Sequence, residues 1–425
     1  MANKPTCIVS APPDTYSGYG ARSRDFIKAL FEAKGEEWDI KVLLMRWGNT
    51  PWNFLKDNQE EWGWLIPHCI MGPNPPYQPD YWFQCTVPNE FMPAGKVFSC
   101  GVTAGIETTL CSPEFIEGVN RMNLTLVSSE HAKRSLVDTI VTNSQTNQQL
   151  KVTKPVEVLF EGLNLEKYFY IDPKEMPKTD IVEELNKIPE SFNFLFVGHW
   201  LHGDLGEDRK NVGLLIKSFL MVFKNMKTKP GLILKTSVSG ASIMDREEVL
   251  KRINAIRASI PGDLPNIYLI HGEFDDSDIN VLYNHPKVKA MVNLTKGEGF
   301  GRPLLEFTQS KKPIAVSGWS GHVDFMNPEF SILIPGTLTQ VHPSAASDGL
   351  ILKEASWFSP EMSAVNKAWL DLYKNIDKYE VAGKRQGHYA KTNFSYEKMA
   401  EALKTIIEKK FTSVPVLKLP TLKKI

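Results

Sequence analysis

Residues 297–306 read Gly297-Glu298-Gly299-Phe300-Gly301-Arg302-Pro303-Leu304-Leu305-Glu306. Just upstream, Val288-Lys289-Ala290-Met291-Val292-Asn293-Leu294 is short, apolar and rich in strand formers, the pattern of a buried parallel strand. Pro303 suits the first turn of a helix, where its missing N–H costs nothing. The segment therefore predicts strand, glycine turn, helix. A helix start carries unpaired N–H groups and a partial positive charge, and glycines let a ligand approach the backbone, so the turn favours an anionic group such as phosphate. Glu298 lies just before the helix and Glu306 one turn into it. Read from the residues alone, the same segment also fits a plain strand-turn-helix with one solvated glutamate and one favoured by the helix dipole.

Phe192-Asn193-Phe194-Leu195-Phe196-Val197-Gly198 predicts a second strand, with a loop leading to Arg209-Lys210-Asn211 and an amphipathic run over 212–223. Residues 231–236 and 267–272 predict two more strands, separated by a helical pattern over 245–259. Pro313-Ile314-Ala315-Val316-Ser317 predicts another, entering Gly318-Trp319-Ser320-Gly321-His322. Strands alternating with helices make a parallel sheet, and ligands of such sheets collect at the carboxyl ends of the strands. The N-terminal half opens with a strand over 6–10, a loop containing Gly18-Tyr19-Gly20, and a helix to Ala33. Pro12-Pro13 and the lack of a third glycine near Ser23 exclude a nicotinamide-binding fingerprint. Further on, 101–108 precedes a helix over 113–120, and 124–131 reads as a strand entering a helix start.

The spacing of Glu298 and Glu306 resembles the E-x7-E motif of retaining, nucleotide-sugar-dependent glycosyltransferases of the GT-B fold, family 4 in particular. The resemblance implies an α/β architecture of two Rossmann-like domains whose parallel sheets face each other across a cleft, with a C-terminal helix crossing back to the N-domain. It places an acceptor-side domain at 1–165 and a nucleotide-sugar domain at 191–385, with 386–425 as the returning helix and tail. Between the domains, 166–190 is the linker, and its Lys-, Glu- and Pro-rich part, 172–190, suits an exposed one. Carried over residue by residue, Glu298 lies near the donor sugar, Glu306 binds the ribose hydroxyls, and Gly299, Phe300 and Gly301 turn their amides to the diphosphate. Lys210, with Arg209 beside it, would grip that diphosphate. Gly18, Tyr19 and Gly20 would close over it from the opposite domain, and Gly272 would pack near the base. The chain departs from the family at His199-Trp200, where an arginine is usual, and offers Thr103 and Glu107 where many relatives carry a histidine. Glu107 has two readings, an orienting group for the acceptor hydroxyl or a helix N-terminal charge.

The reaction so implied moves a sugar from a nucleotide diphosphate, UDP favoured, to an acceptor hydroxyl with retention of configuration, and needs no protein nucleophile, cofactor or essential metal. Asp275-Asp276-Ser277-Asp278 precedes a helix-like run and reads as a cap. A glycosidase would also use two carboxylates, but across one sugar and without a phosphate-binding turn between them.

For the acceptor, nine aromatic residues between Trp47 and Phe83, interspersed with six prolines, offer flat faces for stacking; filling the core of an irregular excursion is the reading favoured for most of them. The N-terminal half also looks similar to glycosyltransferases of T4-like bacteriophages that decorate hydroxymethylcytosine in double-stranded DNA, an arabinosyl group among the sugars. A lipopolysaccharide-extending enzyme is the alternative within the class, and a catalytically silent binding protein the alternative outside it.

At 425 residues, with 42% hydrophobic content, the chain has the size and composition of a two-domain globular enzyme. No apolar stretch approaches a membrane span and the N-terminus lacks a signal-peptide pattern, so a cytoplasmic location, that of the host if phage-encoded, is expected. Five cysteines without C-x-x-C spacing point to reduced, buried thiols. With 49 basic and 49 acidic residues, the chain has no global pull on nucleic acid. From Gln386 onward eight lysines face three glutamates, a local excess that could touch a polyanion.

Overall fold

In the computed structural model, described over residues 4–142, 145–347 and 349–411, the chain builds two parallel sheets that face each other. The first orders its strands Cys69–Ile70, Asp39–Leu44, Thr6–Ala11, Tyr81–Cys85, Phe98–Val102, Leu124–Val127 and Val156–Val158. The second orders them Ile267–Ile270, Gly231–Lys235, Asn193–Val197, Val288–Asn293, Ile314–Ser317 and Ile332–Ile334. Every pairing within both sheets is parallel. In each sheet the chain winds outward one way and then reverses beside its first strand. That reversal opens the crevice in which doubly wound sheets bind ligands.

The central strands are apolar on both faces because helices cover both sides. Phe194, Leu195 and Phe196 are all fully buried, with Phe194 and Phe196 packing against Leu215 and Phe219, and Leu195 against Leu282 and Leu304. Helix 212–223 lies where its pattern predicted, and Asn211 starts it in the left-handed region that asparagine tolerates.

The last described helix, Tyr396–Lys410, sets Met399, Ala400, Leu403 and Ile407 into the core of the first sheet beside Phe26 and Leu30. The predicted return of the C-terminal helix to the N-terminal half is thus realised. Burial of these side chains at helical spacing, about 1.5–3 kcal/mol each for Met399, Leu403 and Ile407 and less for Ala400, holds it there. The basic tail beyond Phe411 lies outside the described residues.

Three expectations change. The linker is not an exposed spacer: Asp180–Lys187 is a helix, and its Ile181, Val182 and Leu185 join the core of the second sheet. Charged residues dominate the composition there, but the apolar residues share one face. The boundary near 385 falls inside the helix Ile376–Asn393. Gly18, Tyr19 and Gly20 form no loop; they are the first turn of the helix Gly18–Lys34, capped by Ser17, whose hydroxyl accepts from the Gly20 amide at 2.9 Å.

An antiparallel hairpin, Gly336–Gln340 with Ser356–Pro360, extends from the second sheet and was not anticipated. Its inner strand touches both halves: the Thr109 amide donates to the Ser356 carbonyl and the Phe358 amide to that of Lys296, each at 2.9 Å.

Candidate active site

Between the two sheets lies a cleft of about 690 Å³, lined from both halves. It sits at the reversal point of the second sheet, where Asn193–Val197 and Val288–Asn293 run side by side. The first of these strands feeds the loop carrying Arg209 and Lys210, the second the turn carrying Glu298. Topology therefore brings together residues 88 positions apart.

Glu298 is buried and ion-paired. The Lys210 ammonium donates to its Oε1, and Arg209 Nη1 stands 3.3 Å from Oε2 and donates to the Gly297 carbonyl at 2.9 Å. The Glu298 backbone is clamped as well, its amide donating to Ser320 Oγ and its carbonyl accepting from the Gly321 amide, both at 2.9 Å. The second glycine turn thus holds the first. Burial works to raise the Glu298 carboxyl, but the charges of Lys210 and Arg209 outweigh it and hold the group down to about 2. For Lys210 burial wins and the ammonium is pulled below its usual range, whereas in Arg209 the nearby Glu107 and Glu298 prevail over burial and raise it.

The turn itself has the shape an anion needs. Gly301 has φ +101° and caps the helix Arg302–Phe307. The amides of Gly299, Phe300 and Gly301, all lining the cleft, have no protein acceptor among the described residues. The Gly299 carbonyl, by contrast, accepts from the Ser128 and Ser129 hydroxyls at 2.9 and 2.7 Å, from the opposite half.

Glu306 lines the cleft one turn further on, with the Tyr283 hydroxyl 3.3 Å and Arg302 Nε 3.7 Å away. Burial pushes its carboxyl up to about 7 despite Arg302. Arg302 reaches across the cleft to Asp25 and, at 3.2 Å, to Glu161, an ion cluster that no motif announced. Its members lie up to 277 residues apart, which leaves nothing for local spacing to detect.

Gly18 and Tyr19 line the cleft, but Gly20 does not; it packs on Thr15, whose carbonyl would lie 2.2 Å from an added Cβ. Gly272, at φ +139°, also lies outside the lining, its carbonyl accepting at 2.9 Å from Lys235, which does line it. Glu107 precedes the helix Pro113–Arg121 by six residues, too far to act as its N-terminal charge. Its Oε1 instead faces Arg209 Nη1 at 3.6 Å across the cleft. His199 takes a cleft-lining position, and His131 packs edge-on against Trp319. Asp275 caps the helix Asp276–Asn284, as its sequence indicates.

No protein-family model and no curated protein matches the chain. Solved structures do. HepE of Anabaena in complex with UDP-glucose superposes with a TM-score of 0.60 at 13% identity, covering 95% of this chain and 100% of its own. A glycosyltransferase from Rickettsia africae gives 0.61 at 12% identity, covering 97% and 100%. The fold is GT-B. Sucrose-phosphate synthase from Thermosynechococcus elongatus shares the same GT-B frame, with a TM-score of 0.60 at 12% identity over 96% of this chain and 99% of its own. Likeness at this identity speaks for architecture, so the chemistry must come from the site.

Proposed function

We propose that this chain is a retaining glycosyltransferase that moves a sugar from a UDP-sugar to an acceptor hydroxyl. The observation that carries the reading is the convergence of Lys210, Arg209 and the three free amides of Gly299, Phe300 and Gly301 at the reversal point of the GT-B C-terminal sheet. Such a set of donors suits a diphosphate and stabilises the charge that grows on it as the glycosidic bond breaks. That HepE, of the same fold, is described bound to UDP-glucose supports UDP as the first nucleotide to try.

In this reading Glu306 holds the ribose and Glu298 the donor sugar. The bond from the sugar's anomeric carbon to the diphosphate oxygen breaks, the bond to the acceptor oxygen forms on the same face, and the acceptor's proton passes to the departing phosphate oxygen. Charge compensation comes from Lys210, Arg209 and backbone amides, so no metal is required; transfer in excess EDTA should run at the rate without it. We take 1–165 as the acceptor-side domain, 191–385 as the donor domain, and 386–425 as the returning segment, with 166–190 belonging structurally to the donor side. A cytoplasmic setting goes with this reading; among the described residues no helix is long and apolar enough to cross a membrane.

The acceptor to test first is the hydroxymethyl group of 5-hydroxymethylcytosine in double-stranded DNA, with a lipopolysaccharide-type glycan as the alternative. Incubation with UDP-, GDP- and ADP-sugars and hydroxymethylated DNA should give sugar transfer with a UDP-sugar. Absence of transfer with every donor would rule out the DNA acceptor. UDP binding with neither transfer nor donor hydrolysis would instead indicate a silent binding protein.

A further inference from the structure

Strand Gly231–Lys235 sends alternate side chains into different cores: Leu232 and Leu234 join the one that holds Phe194 and Phe196, Ile233 the one that holds Leu195 and Leu304. Lys235, next in the alternation, points to the same face as Ile233. Its neighbours in register agree, since Val197 and Ile270 pack against that second core. So does its ammonium, which stands 4.9 Å from the centre of the Phe274 ring, packed against the same core. Glu306 reaches this face from the helix Arg302–Phe307, whose Leu304, Leu305 and Phe307 belong to that core too. Lys235 and Glu306 both line the cleft.

The sheet fixes how far Lys235 stands from the glycine turn. The strand that feeds Glu298 pairs with Asn193–Val197, which pairs on its other edge with Gly231–Lys235. At about 4.8 Å per step, the two outer strands of this trio lie about 10 Å apart. That offset leaves room for a ribose, held by Glu306, between the diphosphate and whatever meets the ammonium.

The resemblance places the base near the loop after Ile267–Ile270, but none of His271, Gly272 and Glu273 lines the cleft. The residue bonded to that loop that does reach the cleft is Lys235, which donates to the Gly272 carbonyl at 2.9 Å. No other hydrogen bond or ion pair meets the ammonium among the described residues. Glu273 acts on it from farther off without outweighing burial, which pulls the ammonium below its usual range. An ammonium carries three N–H donors, so two are left without an acceptor in a partly buried position. A ring carbonyl would supply one, whereas an exocyclic amino group would only add another donor. Uracil carries a carbonyl at C4, on the edge away from the ribose, and cytosine of nearly the same shape carries an amino group there.

Resting on the sugar-transfer reading, we propose that Lys235 is the base-selecting residue of the donor site, donating to the C4 carbonyl of uracil and so disfavouring cytosine.

Calorimetry of UDP and CDP binding to the full chain tests this in the wild type, in Lys235→Met, which keeps the stem and loses the donors, and in Lys235→Arg, which keeps donors. The wild type should bind UDP at least about tenfold more tightly than CDP, because a site built to donate to a carbonyl is left unpaired by the amino analogue. Lys235→Met should weaken UDP about tenfold and CDP less than about threefold, erasing the preference, while Lys235→Arg retains one. Equal loss of both nucleotides in Lys235→Met is the mark of a structural role or of a charge acting on the phosphates, and it would overturn the proposal. A wild type without preference, or a preference that survives Lys235→Met, would overturn it as well, with the sugar-transfer reading untouched. Failure of UDP and CDP alike to bind the wild type would sink that reading and the proposal together.

Discussion

Glu107 Oε1 and Arg209 Nη1 face each other at 3.6 Å from opposite walls of the cleft. The contact makes Arg209 a shared group, bound on its own side to Glu298 and the Gly297 carbonyl and on the far side to the first domain. A residue gripping donor diphosphate from this position would also report whether the two halves have closed. Glu107 is partly exposed, so the pair itself contributes little to stability. Glu107→Gln should therefore leave the melting temperature nearly unchanged while lowering transfer several-fold, an effect that grows weaker with added salt. Steady-state kinetics at two ionic strengths checks this.

Glu298 and a bound diphosphate would compete for the same two cations. Glu298→Gln should consequently bind UDP at least as tightly as the wild type, by calorimetry, while transfer falls by about 10²-fold or more because the sugar loses its positioning group. Weaker UDP binding together with normal transfer would contradict the assignment.

Lys210→Ala removes the ammonium nearest the Glu298 carboxylate and leaves Arg209 as its remaining partner. On the scale of a lost preorganised donor, turnover should drop about 10²–10³-fold. UDP affinity should fall as well, opposite in direction to Glu298→Gln.

Gly297→Ala addresses closure directly. An added Cβ would sit 1.8 Å from the Glu107 carbonyl oxygen, backbone of the other domain, which cannot yield as a flexible side chain would. The variant should fold and keep UDP binding on the second domain, yet lose most transfer because the halves cannot meet. Small-angle scattering should show it more extended than the wild type.

Glu306 gives a pH signature. Its carboxyl titrates near 4.5 when unfolded and is held up to about 7 by burial, against the pull of Arg302. A raised native value means the folded chain keeps a proton that the unfolded chain has released, so stability falls as pH rises from about 4.5 to 7 and levels off above. At 1.36 kcal/mol per unit the group accounts for roughly 3 kcal/mol, and Glu306→Gln should flatten that part of the profile. Glu298 acts in the opposite sense: held down to about 2, it contributes stability above 4.5 that is lost as pH falls from there to 2. Thermal melts of the wild type and Glu306→Gln across pH 2–8 separate the two.

Much of this molecule was legible because buried parallel strands announce themselves. Runs such as Phe194–Val197 are apolar throughout, with both faces covered, and Gly198 ends this one where the chain must turn. The hairpin Gly336–Gln340 gave no such signal, since most of its outer strand is exposed and polar residues alternate along it. Asp180–Lys187 was hidden by composition: charged residues outnumber the apolar ones, and only their helical spacing reveals a packing face. The strand, glycine turn and helix at 288–307 could be read from the residues, and the resemblance singled out Glu298 and Glu306 within it, both of which line the cleft; Gly20 and Gly272 lie outside that lining, Gly20 packed on Thr15.

The sequence by itself determined the alternation of strand and helix and the glycine turn at 297–301 with Glu298 and Glu306 on either side of it, because these depend on local propensity and short spacing. Tertiary structure alone decided that Lys210 meets Glu298, that Glu107 meets Arg209 rather than a helix terminus, that Arg302 joins Asp25 and Glu161, and that Trp47 faces the cleft while Trp62 and Trp82 are core. Lys210 meets Glu298 because two distant segments become neighbouring strands of the second sheet, and the pairings across the cleft follow from the two sheets folding face to face, both driven by burial of apolar faces distributed over the whole chain. No local stretch of residues encodes which side chains then stand opposite one another.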